Sequence, residues 1–165
     1  MLCFFLSISP TEFLNYNFSL SLDRKKDLVK LQAGEYVSLG RVEAEMKTCP
    51  IVENICVYCD PSKHYCVALV VPNEKMLMEM AENMNIHNLS FEKLCSSPII
   101  EKAVAKELFE HAKKCKLEKF EIPAVITLCK ETWTTEGGYV TAAFKIKRKV
   151  IQERYKEEIK RMYAS

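Results

Sequence analysis

Apolar and polar positions change period several times along the chain, and each change marks an element. Leu28-Val29-Lys30-Leu31 and Tyr36-Val37-Ser38-Leu39 alternate as short strands, and Gln32-Ala33-Gly34-Glu35 between them predicts a turn. Gly34 suits that turn because a residue without Cβ takes positive φ at no steric cost. The pair predicts a β-hairpin with a charged root at Asp23, Arg24, Lys25, Lys26 and Asp27. Val42, Met46 and Cys49 then recur at helical spacing until Pro50, which lacks the N–H a helix needs. Residues 51–59 and 65–71 are β-rich runs joined by Asp60-Pro61-Ser62-Lys63, whose turn formers predict an antiparallel pair.

Asn73 is placed to cap a helix with Leu77, Met80, Ala81 and Met84 on one side, and Ser90 opens a shorter helix through Cys95. Ser97-Pro98 starts a longer one. Its core stripe is Ile100, Val104, Leu108 and Ala112, and Lys113, Lys114 and Lys116 suit its negative carboxy end. Residues 120–128 predict a strand with Pro123 inside it, at a sheet edge or a bend. Residues 134–139, with Gly137-Gly138, predict a loop. Lys145 therefore falls between a surface turn and a final helix whose buried face is Ile151, Tyr155, Ile159 and Met162. The expected fold is α/β, a small mixed β-sheet with packed helices and an amino-terminal β-hairpin.

Composition narrows the class. At 165 residues, 48% apolar and 28% charged, the chain holds one domain with a real core. A net charge of +2 implies neither nucleic acid nor an acidic membrane, although residues 141–165 hold eight Lys/Arg against three Glu. Tyr155 and Tyr163 in that basic stretch fall on the core stripe instead of among the cations, which argues against RNA. Residues 1–22 are apolar and aromatic but lack a basic leader, are interrupted at Pro10, and are too broken to span a bilayer. They are expected to stand apart from the domain, as in a gene model that starts short, with a membrane-surface anchor as the second reading.

The eight cysteines sit singly in apolar runs and are expected to be reduced, cytosol-facing thiols. Cys56, Cys59, His64 and Cys66 approximate a zinc knuckle, but the last gap is one residue instead of four. Cys56 and Cys59 also point to opposite faces of a strand, so no metal site is expected. His87 and His111 have no paired nucleophile or acid and read as surface histidines.

DRKKDLVKLQAGEYVSLGRVE, residues 23–43, resembles the hinge and glycine-loop motif of the adenylate-forming enzymes, with GEYVSLG in the form of the animal long-chain acyl-CoA synthetases. Lys119-Phe120-Glu121-Ile122-Pro123, Trp133-Thr134 and VTAAFKIKR at residues 140–148 resemble the family's closing motif in the same order, and Arg161-Met162-Tyr163 resembles its usual end. The resemblance covers residues 23–165, read as the carboxy-terminal domain of such an enzyme, and leaves out residues 1–22. It implies AMP-forming ligation of long-chain fatty acids to CoA with ATP and Mg²⁺, the metal ligands lying outside this chain. It also implies a large amino-terminal domain as partner, fatty acid and CoA as substrates, and no nucleic acid. For the complete enzyme it implies a cytosol-facing place at the endoplasmic reticulum or other intracellular membranes.

By the same resemblance Lys145 is the catalytic lysine that steadies the carboxylate and the α-phosphate, and Lys26 is the hinge about which the small domain rotates. Arg24 is an ATP phosphate contact, which its fork of donors suits. Gly34 and Lys30 lie on the CoA path. The residues by themselves allow plainer readings: Lys26 as a basic surface turn, Gly34 as an ordinary hairpin glycine, and Lys147, Arg148 and Lys149 as a solvated helix start. A stand-alone binding or regulatory module derived from this domain is the alternative, although such a module has no use for both Lys26 and Lys145. With no Ser/Thr/Gly-rich phosphate loop in the sequence, the isolated chain is expected to be inactive.

Overall fold

The computed structural model of the chain describes residues 27–164. Strands β1 (Leu28–Lys30) and β2 (Tyr36–Ser38) pair antiparallel, with Leu28 opposite Ser38 and Lys30 opposite Tyr36. Between them Gly34 takes φ +103°, the positive value expected of it. Helix α1 (Leu39–Lys47) follows at once, because the Ser38 side chain accepts the Arg41 N–H and caps it. Leu39 is thus the first helical residue and not the end of the strand, and Cys49 lies just past the helix.

Strands β3 (Val52–Cys59) and β4 (Cys66–Pro72) run antiparallel, and β5 (Val125–Leu128) adds parallel to β4, giving a mixed sheet in the order β3-β4-β5. Every residue of β4 is buried, as a central strand covered on both faces must be. Cys66, Ala68 and Val70 face one apolar cluster, which collects α1, α2 (Glu74–Asn83), α3 (Phe91–Cys95), α4 (Pro98–Lys114) and the hairpin's Leu31 and Val37. Val67, Leu69 and Val71 face a second cluster, which collects Trp133, Val140 and helices α5 (Arg148–Arg154) and α6 (Lys156–Ala164). The expected stripe of α4 holds: Ile100, Val104, Leu108 and Ala112 are all at most 1% exposed. Asn73 caps α2 through the Met76 N–H, and Leu77 and Ala81 are its buried residues, whereas Met84 is exposed.

Four expectations are corrected. Residues 120–123 form a turn, not a strand: the Glu121 and Ile122 N–H groups turn back to the Glu118 carbonyl, and Pro123 has no N–H for a ladder. Pairing starts only where the Ala124 N–H reaches the Cys66 carbonyl, and β5 is an edge strand as expected. The final helix is two helices, broken at Tyr155 (φ −107°, ψ 25°), whose ring lies against Trp133 at 6.2 Å; Ile151, Tyr155, Ile159 and Met162 are nonetheless all buried. Cys59 and Cys66 are not free thiols but are joined as a disulfide, because the antiparallel register sets them directly opposite with Cα atoms 4.5 Å apart. Cys56 belongs to the other cluster, on the opposite face, as the strand period requires. His87 is exposed, but His111 is half-buried and its Nε2 lies 2.8 Å from Thr48 Oγ1 and 3.2 Å from the Glu45 carbonyl, pinning α4 to the end of α1.

Leu108→Ala is expected to lower unfolding free energy by about 2–5 kcal/mol through lost transfer energy and the cavity left behind. Ile99→Ala, at a position 60% exposed, is expected to stay within about 0.5 kcal/mol. Urea denaturation of both variants checks the contrast, and equal costs would mean that α4 does not present this face to the core.

Candidate functional site

Lys145 stands on a loop whose base is rigid and whose tip is open. Val140 and Ile146 form a bridge, and the Lys147 N–H donates to the Tyr139 carbonyl at 2.7 Å. At the tip the Thr141 N–H donates to the Lys145 carbonyl, the Phe144 N–H to the Thr141 carbonyl, and the Lys145 N–H to Thr141 Oγ1. Phe144 accepts φ 55° to make this turn and is 77% exposed. Below the tip, Val140 is buried in the second cluster, and the Tyr139 hydroxyl donates to Glu131, which also pairs with Arg154. Lys145 itself is exposed and makes no ion pair among the described residues.

The loop borders a cleft of about 530 Å³ that it shares with Asp27, α1 and β3. Three charged side chains meet along that border. Both terminal nitrogens of Arg148 bond the Glu43 carboxylate, one to each oxygen. Arg148 also reaches Asp27 Oδ1 at 3.4 Å and the Val57 carbonyl at 3.3 Å, and the Val57 N–H donates to Glu43 at 2.8 Å. The Arg148 and Glu43 side chains are only 19% and 12% exposed. Burial pushes the Glu43 carboxyl up, with Arg148 and the Val57 N–H drawing it back. Burial works against the Arg148 charge as well, but Glu43, Cys56 and Asp27 together outweigh it and the guanidinium is held above its ordinary value.

The plainer reading of Lys147, Arg148 and Lys149 is a solvated helix start. The structure corrects this: Arg148 is the hub of a network that also contains Glu43 and Asp27, neither of which had been given a role. The available signal was periodicity, since Glu43 lies beside the buried Val42 on the core-facing side of α1.

The remaining candidates lie elsewhere. Gly34 and Lys30 sit on the hairpin, where a Cβ added at Gly34 would meet no atom within 4 Å and the Lys30 ammonium lies 5.6 Å from the Tyr36 ring. The hairpin turn is tied to the β3–β4 loop by the Gln32 N–H on the Lys63 carbonyl. Neither Gly34 nor Lys30 borders the Lys145 cleft. Arg24 and Lys26 lie outside the described residues, as do residues 1–22. Among the described residues no helix is long and apolar enough to cross a membrane.

No protein-family model matches the chain. Long chain acyl-CoA synthetase 8 of Arabidopsis thaliana is 50% identical over 143 residues, 87% of this chain and 20% of that protein. Long-chain-fatty-acid–CoA ligase 1 of Schizosaccharomyces pombe is 36% identical over 145 residues, again 87% of this chain and 21% of the relative. By sequence and fold the chain corresponds to the carboxy-terminal domain of a long-chain acyl-CoA synthetase. The chain spans about a fifth of the length of the curated relatives it matches. Among solved structures, the adenylation domain of a carboxylate reductase from Mycobacterium chelonae matches 87% of this chain and 20% of its own, at 28% identity and a TM-score of 0.73. An adenylation and carrier didomain of a carboxylic acid reductase from Segniliparus rugosus, in complex with AMP, gives 28% identity and 0.71, covering 87% of the domain and 18% of that chain.

Beneath the ion network, burial pushes the Cys56 thiol up to about 12 from its ordinary 9.0, and Cys129 likewise to about 12. A folded pKa above the unfolded one means that this contribution to stability is whole below about pH 9 and is lost as pH rises toward 12. Cys56→Ala is accordingly expected to flatten part of the alkaline fall in unfolding free energy. Urea denaturation at roughly pH 8 and pH 10.5 measures it, and an unchanged slope would rule out thiol burial as the cause.

Proposed function

We propose that this domain is the mobile carboxy-terminal part of an AMP-forming ligase that activates long-chain fatty acids with ATP and Mg²⁺ and passes the acyl group to CoA. In the first half-reaction the fatty-acid carboxylate attacks the α-phosphate of ATP, forming acyl-adenylate and releasing pyrophosphate. Lys145 presents its ammonium to the carboxylate and the α-phosphate, where negative charge concentrates in the transition state. Arg24 contacts the ATP phosphates. In the second half-reaction the domain has turned about Lys26, and the CoA thiol displaces AMP to give the thioester. Gly34 leaves the pantetheine arm room beside the backbone, with Lys30 flanking the same path. A large amino-terminal domain supplies the fatty-acid site, the rest of the ATP site and the metal ligands, so the chain by itself makes no acyl-CoA.

The observation that carries this reading is the Lys145 loop: a lysine with no ion-pair partner among the described residues, at the tip of a turn braced at its base, in a chain half identical to a named synthetase. Its separation from the Gly34 turn supports two roles used in two orientations, since the two do not border one cleft.

The test joins residues 23–165 to the large domain of the Arabidopsis relative in place of that enzyme's own carboxy-terminal part. Lys145→Ala is expected to slow pyrophosphate release by on the order of 10²-fold while leaving CoA attack on supplied acyl-adenylate nearly intact. Gly34→Leu is expected to do the reverse; because φ +103° strains any side chain there, its melting temperature is checked alongside. Equal depression of both half-reactions by each variant would sink the two-orientation assignment. A folded hybrid without pyrophosphate release would leave the stand-alone module as the better reading.

A further inference from the structure

Resting on that function, we propose that Arg148 is a positioning residue for the adenylation half-reaction, acting through Lys145. Two features carry the proposal. The first is mechanical. Arg148 follows the loop base immediately and ties it across the fold to three segments: Glu43 on α1, the Val57 carbonyl on β3, and Asp27 beside the hinge. The opposite side of the loop base is braced by Val140 in the core and by Tyr139 on Glu131. Rotation about Lys26 therefore moves Asp27, Arg148 and the Lys145 loop as one body, and the position of the ammonium is set by the domain's orientation instead of by loop motion.

The second feature is electrostatic. Asp27 and Glu43 border the same cleft as Lys145. Two free carboxylates there would compete with the substrate phosphate and carboxylate for the lysine, since opposite charges at short range attract strongly where water is partly excluded. Arg148 occupies both of them, with two bonds to Glu43 and one to Asp27. Lys145 is thereby left uncompensated for substrate. Lysine at position 148 keeps the charge but lacks the planar fork that engages two acids at once.

The test uses the same joined enzyme and, in parallel, the 165-residue chain. Arg148→Met is expected to slow pyrophosphate release by about 10²-fold, the scale of a small misplacement of a catalytic group, with thioester formation from supplied acyl-adenylate near the parent rate. Arg148→Lys is expected to fall between. Adding Glu43→Gln to Arg148→Met removes one competing carboxylate and is expected to restore part of the lost rate. In the chain alone, hydrogen exchange of residues 141–147 is expected to quicken in both Arg148 variants under conditions in which each variant stays folded. Loss of both half-reactions together, in step with lost thermal stability, would make Arg148 merely structural and overturn the proposal. So would unchanged exchange at residues 141–147. A parent joined enzyme without pyrophosphate release would fail the functional reading, and the exchange measurement would then decide the role of Arg148 by itself.

Discussion

One guanidinium holds two carboxylates and a backbone carbonyl at the place where the lead-in to β1, helix α1, the central sheet and the Lys145 loop meet. Arg148 lies 121 residues from Asp27 and 105 from Glu43, so the contact closes the domain across nearly its whole described length. Its partners are themselves fixed: Glu43 also accepts the Val57 N–H, and the Asp27 carbonyl accepts the N–H of Leu39, the first residue of α1. A buried ion pair of this kind gives little net stability compared with apolar packing, but removing one partner strands the other, which makes it a strong specifier of arrangement. What it specifies here is where the lysine-bearing loop sits relative to α1 and the start of the hairpin.

The sheet makes that contact possible. Because β4 is buried on both faces, one three-stranded sheet serves two clusters, and each seats one of the two loops. The first cluster seats the hairpin through Leu31 and Val37 and so supports the Gly34 turn. The second seats α5 and α6 through Ile151, Tyr155, Ile159 and Met162 and so supports the Lys145 loop. The two loops are thus placed from opposite sides of one sheet.

Much of this was legible in the sequence wherever a feature depended on neighbours a few residues apart. The hairpin with positive φ at Gly34, the Asn73 cap, the α4 stripe and the strand pair before and after Asp60 all follow from local period and turn chemistry. The place of Lys145, between a surface turn and a helix, was legible too. Contacts between distant residues were not. Nothing local distinguishes Arg148 from Lys147 and Lys149, and only the packing of α5 on the second cluster turns it inward. The Cys59–Cys66 bond was missed although the antiparallel pair had been foreseen, because pairing the strands without fixing the register leaves the opposed residues unknown. The strand before Pro123 was lengthened wrongly because apolar residues 120 and 122 suggest a strand, while the turn onto the Glu118 carbonyl and the burial of Glu121 under Arg41 settle the backbone otherwise.

The central claim is that Arg148 and Glu43 act as one unit that closes the fold around the loop. A double-mutant cycle on the 165-residue chain, with Arg148→Met, Glu43→Gln and the pair, measures this directly by urea denaturation. Each single variant is expected to lose about 3–5 kcal/mol because it strands a buried charge or its partner. The double variant is expected to lose less than their sum by at least about 1 kcal/mol, within the range seen for contacting residues. Additivity to within about 0.5 kcal/mol would show that the two side chains do not depend on each other and would contradict the account.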